Sequence, residues 1–209
     1  PVSGARRFTT HGSVPVYASI GSSTYDGLQL HLRGRGKWGS AGLAYTLSRS
    51  ENDHNYKFDY VLDEGDLGAR EGASLNDTRH RLVGYGVVSL PWDVMLGGTL
   101  TYSTAQSYDA NTGEDTNGDG YLDHLPGSER NGRRGDAYSR VDLRLSKSFE
   151  ARKVRIEPVL EVFNLFNNEN VDPDTIDGNV LSPLFGRGGT SLNPLYQPRQ
   201  VELGVRVAF

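Results

Sequence analysis

Cysteine is absent from the 209 residues, which excludes a disulfide-stapled scaffold and thiolate metal centres. No window of eighteen apolar residues occurs, so no transmembrane helix is expected. Positive charge is not in excess either. The chain carries 22 Lys and Arg against 26 Asp and Glu, a net charge of −4 and a pI near 5.7. No nucleic-acid partner is expected, since binding usually needs a basic face. Helical periodicity is missing throughout. The chain opens on Pro1 and Val2, without Met and without a charged-then-apolar leader. It therefore reads as the C-terminal piece of something longer. What is abundant is glycine, with 26 residues, and tyrosine, with 11.

Period-two alternation is the dominant pattern. In the closing segment Val201, Leu203, Val205, Val207 and Phe209 share one face, opposite Glu202, Gly204, Arg206 and Ala208. Val154, Ile156, Leu160 and Val162 alternate with Arg155, Glu157 and Glu161, and Val141, Leu143 and Leu145 with Arg140, Asp142, Arg144 and Ser146. Leu28, Leu30 and Leu32 alternate with Gln29, His31 and Arg33, and Ala41, Leu43, Tyr45 and Leu47 with smaller polar residues. Residues 79–90 form a weaker candidate, Val94, Leu96, Leu100 and Tyr102 mark the next strand, and residues 14–20 are a possible eighth. Pro158 interrupts one pattern, marking a bulge or a weakly paired position. Alternation places one face of each strand in an apolar medium and the other in a polar one. A mean hydropathy of −0.52 does not oppose this, because alternating strands average the two faces away.

Segment length and connection length decide which medium is meant. The segments run about ten residues, what a tilted strand needs to cross a bilayer. Connections alternate short and long: 34–37 then 51–77, 91–93 then 108–136, 150–153 then 165–199. Membrane barrels keep short turns on the periplasmic side and long loops outside. With the short turns periplasmic, the last strand runs downward and ends at Phe209. The expected class is all-β: an antiparallel transmembrane β-barrel segment of about seven or eight strands, an open sheet with free edges when taken alone.

Several runs resemble the barrel of Oar-like TonB-dependent outer-membrane receptors. They are Tyr25-Asp26-Gly27-Leu28-Gln29-Leu30 with Arg33, Ala44-Tyr45-Thr46-Leu47-Ser48-Arg49-Ser50, Asp77-Thr78-Arg79-His80-Arg81 and Ser89-Leu90-Pro91-Trp92. Val141-Asp142-Leu143-Arg144-Leu145-Ser146-Lys147, Glu161-Val162-Phe163-Asn164-Leu165-Phe166-Asn167 and the ending Arg199-Gln200-Val201 through the terminal phenylalanine follow in the family's order. The resemblance implies a barrel of about twenty-two strands, with residues 1–209 its C-terminal part. It also implies a plug domain and a TonB-contacting segment outside this chain, and the bacterial outer membrane as location. Binding and uptake or export of a large substrate, driven from the inner membrane, is the implied activity, with no enzyme chemistry. Phe209 resembles the signal read by the barrel-assembly machinery.

Asp115-Thr116-Asn117-Gly118-Asp119-Gly120-Tyr121-Leu122-Asp123 is the sharpest local motif. Oxygen ligands at Asp115, Asn117 and Asp119, the Tyr121 carbonyl and Asp123 fit the start of a calcium loop, with Gly120 permitting the sharp turn. Pro126 stands where a bidentate Glu would close an EF-hand, so remaining oxygens would come from Asp109, Glu114, Glu129 or water. The bland reading is an acidic surface loop.

His11, His31, His54, His80 and His124 have no metal-ligand spacing, and the nearest approach to a nucleophile elbow, Gly12-Ser13-Val14-Pro15, lacks its second glycine in place. Arg134-Gly135-Asp136 spells an adhesion tripeptide that glycine-rich loops generate by chance. Gly34, Gly36 and Gly39 read as a turn, not as a phosphate cradle. Trp38, Trp92 and Phe149 adjoin the short turns and are expected in an interfacial aromatic girdle. Tyr45, Tyr85 and Tyr102 are expected on the lipid face or its edge, and the charged positions of the opposite faces are expected to pair across strands. The competing reading is a secreted or surface β-rich binding domain with a calcium-stabilised loop. A passive porin-type channel is a third.

Overall fold

The structure, a computed structural model, describes residues 21–53, 71–115, 122–189 and 191–209. The elements are β1 (Ser23–Gly36), β2 (Gly39–Asn52), β3 (Gly72–Ala73), β4 (His80–Leu90), β5 (Val94–Ser103), β6 (Ser107–Tyr108), β7 (Arg133–Arg134), β8 (Tyr138–Lys147), β9 (Phe149–Ala151), β10 (Val154–Phe163) and β11 (Gln200–Ala208). Short 3₁₀ turns cover Pro173–Thr175 and Pro194–Tyr196. The seven alternating segments read from the sequence are the seven long strands. The possible strand at 14–20 lies outside the described residues.

The long strands form one antiparallel meander in the order β1-β2-β4-β5-β8-β10-β11, with β3 added to β2 and β9 to β10. β6 and β7 pair separately. Neighbours in space are neighbours in sequence, as a hairpin chain requires. β1 and β2 are 14 residues long and β11 is 9, within or above the length that spans a bilayer at a tilt. Among the described residues β1 and β11 each pair along one edge, so the sheet is open.

Residues 37–38, 91–93 and 152–153 make short connections at one end of the sheet, and the described parts of the long connections 53–79, 104–137 and 164–199 lie at the other. Trp92 and Asp93 close their hairpin in left-handed backbone, with φ of 64° and 56°. That conformation costs a bulky residue such as tryptophan about 1–2 kcal/mol.

Pro158 has the effect expected of a proline within a sheet. β10 pairs β11 without interruption from Arg155 to Phe163. On its other edge the ladder lapses between Ile156↔Phe149 and Val159↔Ser146. Glu157 and Pro158 leave this gap opposite Lys147 and Ser148, where proline has no N–H to give. β8 and β9 are thus one strand cut in two.

A soluble sandwich buries its apolar face under a second sheet. Here the only buried hydrophobic residue among those described is Ala110, and it sits in a long connection.

Candidate membrane face and loop-end cleft

The register sorts the side chains into two faces. Leu30↔Tyr45, Tyr45↔Leu82, Leu82↔Tyr102, Leu96↔Leu145, Leu145↔Leu160 and Leu160↔Leu203 carry one apolar face from β1 to β11. None of these residues is buried, and on the two edge strands Leu32 is 70% and Leu203 84% exposed. Leaving such side chains in water forgoes roughly 1.5–3 kcal/mol apiece, so the face needs an apolar partner along its whole width.

The opposite face is polar. Arg144 Nη1 donates to Glu161 at 2.8 Å and Arg206 lies 3.8 Å from Glu157, both across register-paired neighbours. The expected cross-strand pairing holds for these two. Arg140 instead pairs along its own strand with Asp142, at 2.7 Å, and stacks over Phe163. Glu161 and Glu202 are directly opposite each other, a like-charge placement that Arg144 offsets from the other side.

Tyr85 corrects the sequence reading. It shares the polar face with Arg33, whose guanidinium donates to its hydroxyl at 3.1 Å, and its ring lies across Gly42 where a Cβ would collide with it. Tyr45 and Tyr102 do lie on the apolar face. Tyr85 escaped the pattern because β4 places Val83, Tyr85 and Val87 on the polar side, so alternation there carries little contrast.

Trp38, Trp92 and Phe149 all stand at the short-turn end, exposed by 63%, 82% and 48%. Phe209 ends the chain there as well, beyond Ala208, which pairs with Arg155. Lys37 places its ammonium 5.1 Å from the Trp38 ring centre, and Lys147 does so 4.9 Å from that of Phe149.

The long-connection end is held by buried polar groups, none of which the sequence reading singled out for this role. Asp77 is 1% exposed. It accepts from the Ser50 backbone N–H at 2.8 Å and pairs with Arg134, with Arg79 3.5 Å away. Arg134 also donates to the Asp77 carbonyl at 2.6 Å. The adhesion tripeptide is thus half occupied by an internal clamp. The Asn131 amide donates to the Ala73 carbonyl at 2.7 Å, Ser107 to that of Ser74, and Arg130 to Asn52. Together these bonds tie connection 53–79 to connection 104–137.

Asn111 joins the second connection to the third, exchanging backbone bonds with Gly178 and Val180 at 2.8 and 3.0 Å. Asn164 braces the third connection onto the sheet. Its side chain is bonded to Asn168 and to the Gln197 carbonyl, while its own N–H donates to Asp142 at 2.8 Å. The available signal was Asp and Asn placed just beyond strand ends, where short polar side chains commonly bond nearby backbone.

A cleft of about 570 Å³ opens at this end, lined by Arg49, Glu51, Glu71, Arg79, Glu129 and Arg134 among others. Its lining mixes both charges, and Arg49 is paired with Glu51.

Of the calcium-loop residues, Asn117, Asp119 and Tyr121 lie outside the described residues. Asp115 and Asp123 flank a paired neck: Asp123 N–H donates to the Glu114 carbonyl at 2.8 Å, and Thr112 N–H to that of Asp123 at 2.9 Å. Among the described residues no group of three or more metal-ligating side chains gathers. Asp109 is engaged with His124 at 3.0 Å. Partial burial of His124 disfavours its cation, but bonds to the Ser128 carbonyl and to Asp109 outweigh this and raise its pKa above 6.5. Of the other histidines, His80 bonds Tyr45 at 2.8 Å. His31 lies on β1 opposite Ala44, and His11 and His54 lie outside the described residues.

Residues 1–101 match a family model described as Outer membrane beta barrel domain. No curated protein and no solved structure matches the chain significantly. The family match covers β1, β2, β4 and most of β5, the strands whose leucines form the first half of the apolar face. The chain is an outer-membrane protein of the bacterial envelope, with transmembrane strands and lipid against its apolar face.

Proposed function

We propose that the chain forms the C-terminal wall of a TonB-dependent receptor barrel of the Oar-like kind, non-enzymatic, which binds a large substrate and carries it across the outer membrane. The reading rests first on one observation: seven strands share a mainly apolar face backed by a mainly polar one, charged most on β8, β10 and β11. A single-layered sheet of this kind suits a barrel wall, and the resemblance to Oar-like receptors implies a barrel of about twenty-two strands. The motifs running from Tyr25 to Phe209 in the receptor order supply the finer assignment.

In that assembly the polar face looks into the lumen. Arg144, Glu161, Glu157 and Arg206 would there meet a plug domain contributed from outside this chain. Trp38, Trp92 and Phe149 form the periplasmic girdle, and Phe209 is presented to the barrel-assembly machinery. The interlocked connections form the outer surface that a substrate meets first. A soluble binding domain is disfavoured by the uncovered leucines.

The test is a binding assay between the full-length protein, including any segments beyond these 209 residues, purified from outer membranes in detergent, and the periplasmic domain of TonB. Retention is expected. A properly folded, detergent-soluble barrel that shows no retention would sink the receptor reading and leave a passive channel. Substrate binding stays intact in such a channel, so TonB contact separates the two.

The neck at Glu114 and Asp123 favours one addition: the loop it closes binds calcium weakly through Asp115, Asn117, Asp119, the Tyr121 carbonyl and Asp123. Millimolar calcium is expected to slow proteolysis within residues 112–125. Identical digestion in calcium and in chelator would remove the site from the reading.

A further inference from the structure

We propose that the short-turn rim is a binding surface for the phosphate headgroups of anionic phospholipid, with Lys37, Lys147 and Lys153 as its anchors. The inference rests on the reading of the sheet as membrane-spanning, and it adds a specific lipid partner to one end of it.

Charge is distributed unevenly between the short and the long connections of the sequence. Within 35–39, 91–94 and 147–155 there are six basic residues and two acidic ones. The long connections 53–79, 104–137 and 164–199 carry eighteen acidic residues against eight basic. Three of the chain's four lysines belong to the rim. Such a rim, net basic, attracts anionic headgroups.

Position on the sheet argues for lipid as the partner. Lys147 shares a face with Leu143 and Leu145 and stands opposite Val94. Its ammonium therefore leaves the lower border of the apolar band, where a stem lies along hydrocarbon and the head reaches the interface. Neither Lys37 nor Lys147 is in an ion pair among the described residues; each ammonium lies over an aromatic ring instead. An amine over an exposed ring keeps its outer hemisphere open to a phosphate, while the ring occupies the headgroup level. Two such pairs on separate hairpins, with Lys153 in the turn after β9, line one edge of the sheet. A protein partner at the same rim is the competing occupant.

The test uses the protein purified from outer membranes and reconstituted in vesicles of phosphatidylcholine, alone or with one fifth phosphatidylglycerol. Lipid retained through native mass spectrometry is counted. Wild type is expected to retain phosphatidylglycerol selectively, and Lys37→Gln, Lys147→Gln and Lys153→Gln are each expected to lower that selectivity about fivefold. The corresponding arginine variants are expected to restore it, and Arg49→Gln, at the far end, to leave it unchanged.

Equal retention by wild type and the triple glutamine variant overturns the proposal while leaving membrane insertion standing. So does an equal loss in Arg49→Gln, or a co-purifying protein that disappears with the lysines while lipid stays constant. Failure of the wild-type protein to enter either vesicle overturns this proposal and the membrane-spanning reading together.

Discussion

Asn164 ends β10 in left-handed backbone, with φ of 50°, and is 1% exposed. Asparagine tolerates that conformation better than most residues, and its amide fills three bonds that water cannot reach. Asn164→Ala is expected to lower stability by about 2–3 kcal/mol, through unmet partners and backbone strain. Asn164→Gly is expected to cost less, since only the bonds are lost. Urea midpoints at constant slope check both, and two variants indistinguishable from wild type would remove the brace. Arg134 is the second such residue. A buried carboxylate stripped of its main cation is destabilised by several kcal/mol, but the Arg134 side chain is 34% exposed and the pair is partly screened. Arg134→Ala is therefore expected to cost about 2 kcal/mol. In the background of Asp77→Ala it is expected to cost only about 1 kcal/mol, because its bond to the backbone carbonyl of residue 77 remains, and full additivity would contradict the clamp.

At the scale of elements, alternation with ten-residue length was enough to read the seven long strands, most weakly over 79–90, because a strand between two media records them in every second side chain. The short-long order of connections was legible for the same reason, since polar runs interrupt the alternation. The two-residue strands β3, β6 and β7 were not. They exist only through partners far along the chain, and two residues carry no period. The clamp and the braces were hidden likewise, as Asp77 and Arg134 are 57 residues apart. β11 offers the sharpest check of the face assignment. Leu203 lies on the apolar face, and its neighbour Gly204 faces Val159 on the polar side, where a Cβ finds its nearest neighbour at 3.9 Å. Leu203→Arg is expected to cost about 2–4 kcal/mol of folding into vesicles, whereas Gly204→Arg is expected to cost under about 1 kcal/mol. Equal costs would mean that both faces see the same medium.

For the molecule as a whole, the sheet and the canopy of long connections are stabilised by different forces. The sheet buries almost nothing of its own and depends on the apolar phase around it. The canopy depends on polar bonds that run from Asn52 through Asn131 and Asn111 to Gly178, so all three connections share one network. A network of this kind opens cooperatively, and His124 makes its stability depend on pH. The His124 pKa is raised in the folded chain, because the Ser128 carbonyl and Asp109 together favour the cation more than burial opposes it. A raised pKa stabilises the fold fully below the unfolded value of 6.5 and ceases to do so as pH rises through the folded value. The canopy is thus expected to resist proteolysis better at about pH 5.5 than at about pH 8. Because the connections are linked, cleavage in 164–189 is expected to accelerate at the higher pH along with cleavage in 122–137. His124→Gln is expected to abolish the difference between the two conditions. Acceleration confined to 122–137 would show that the three connections open separately, and an unchanged difference in His124→Gln would assign the pH dependence to another group.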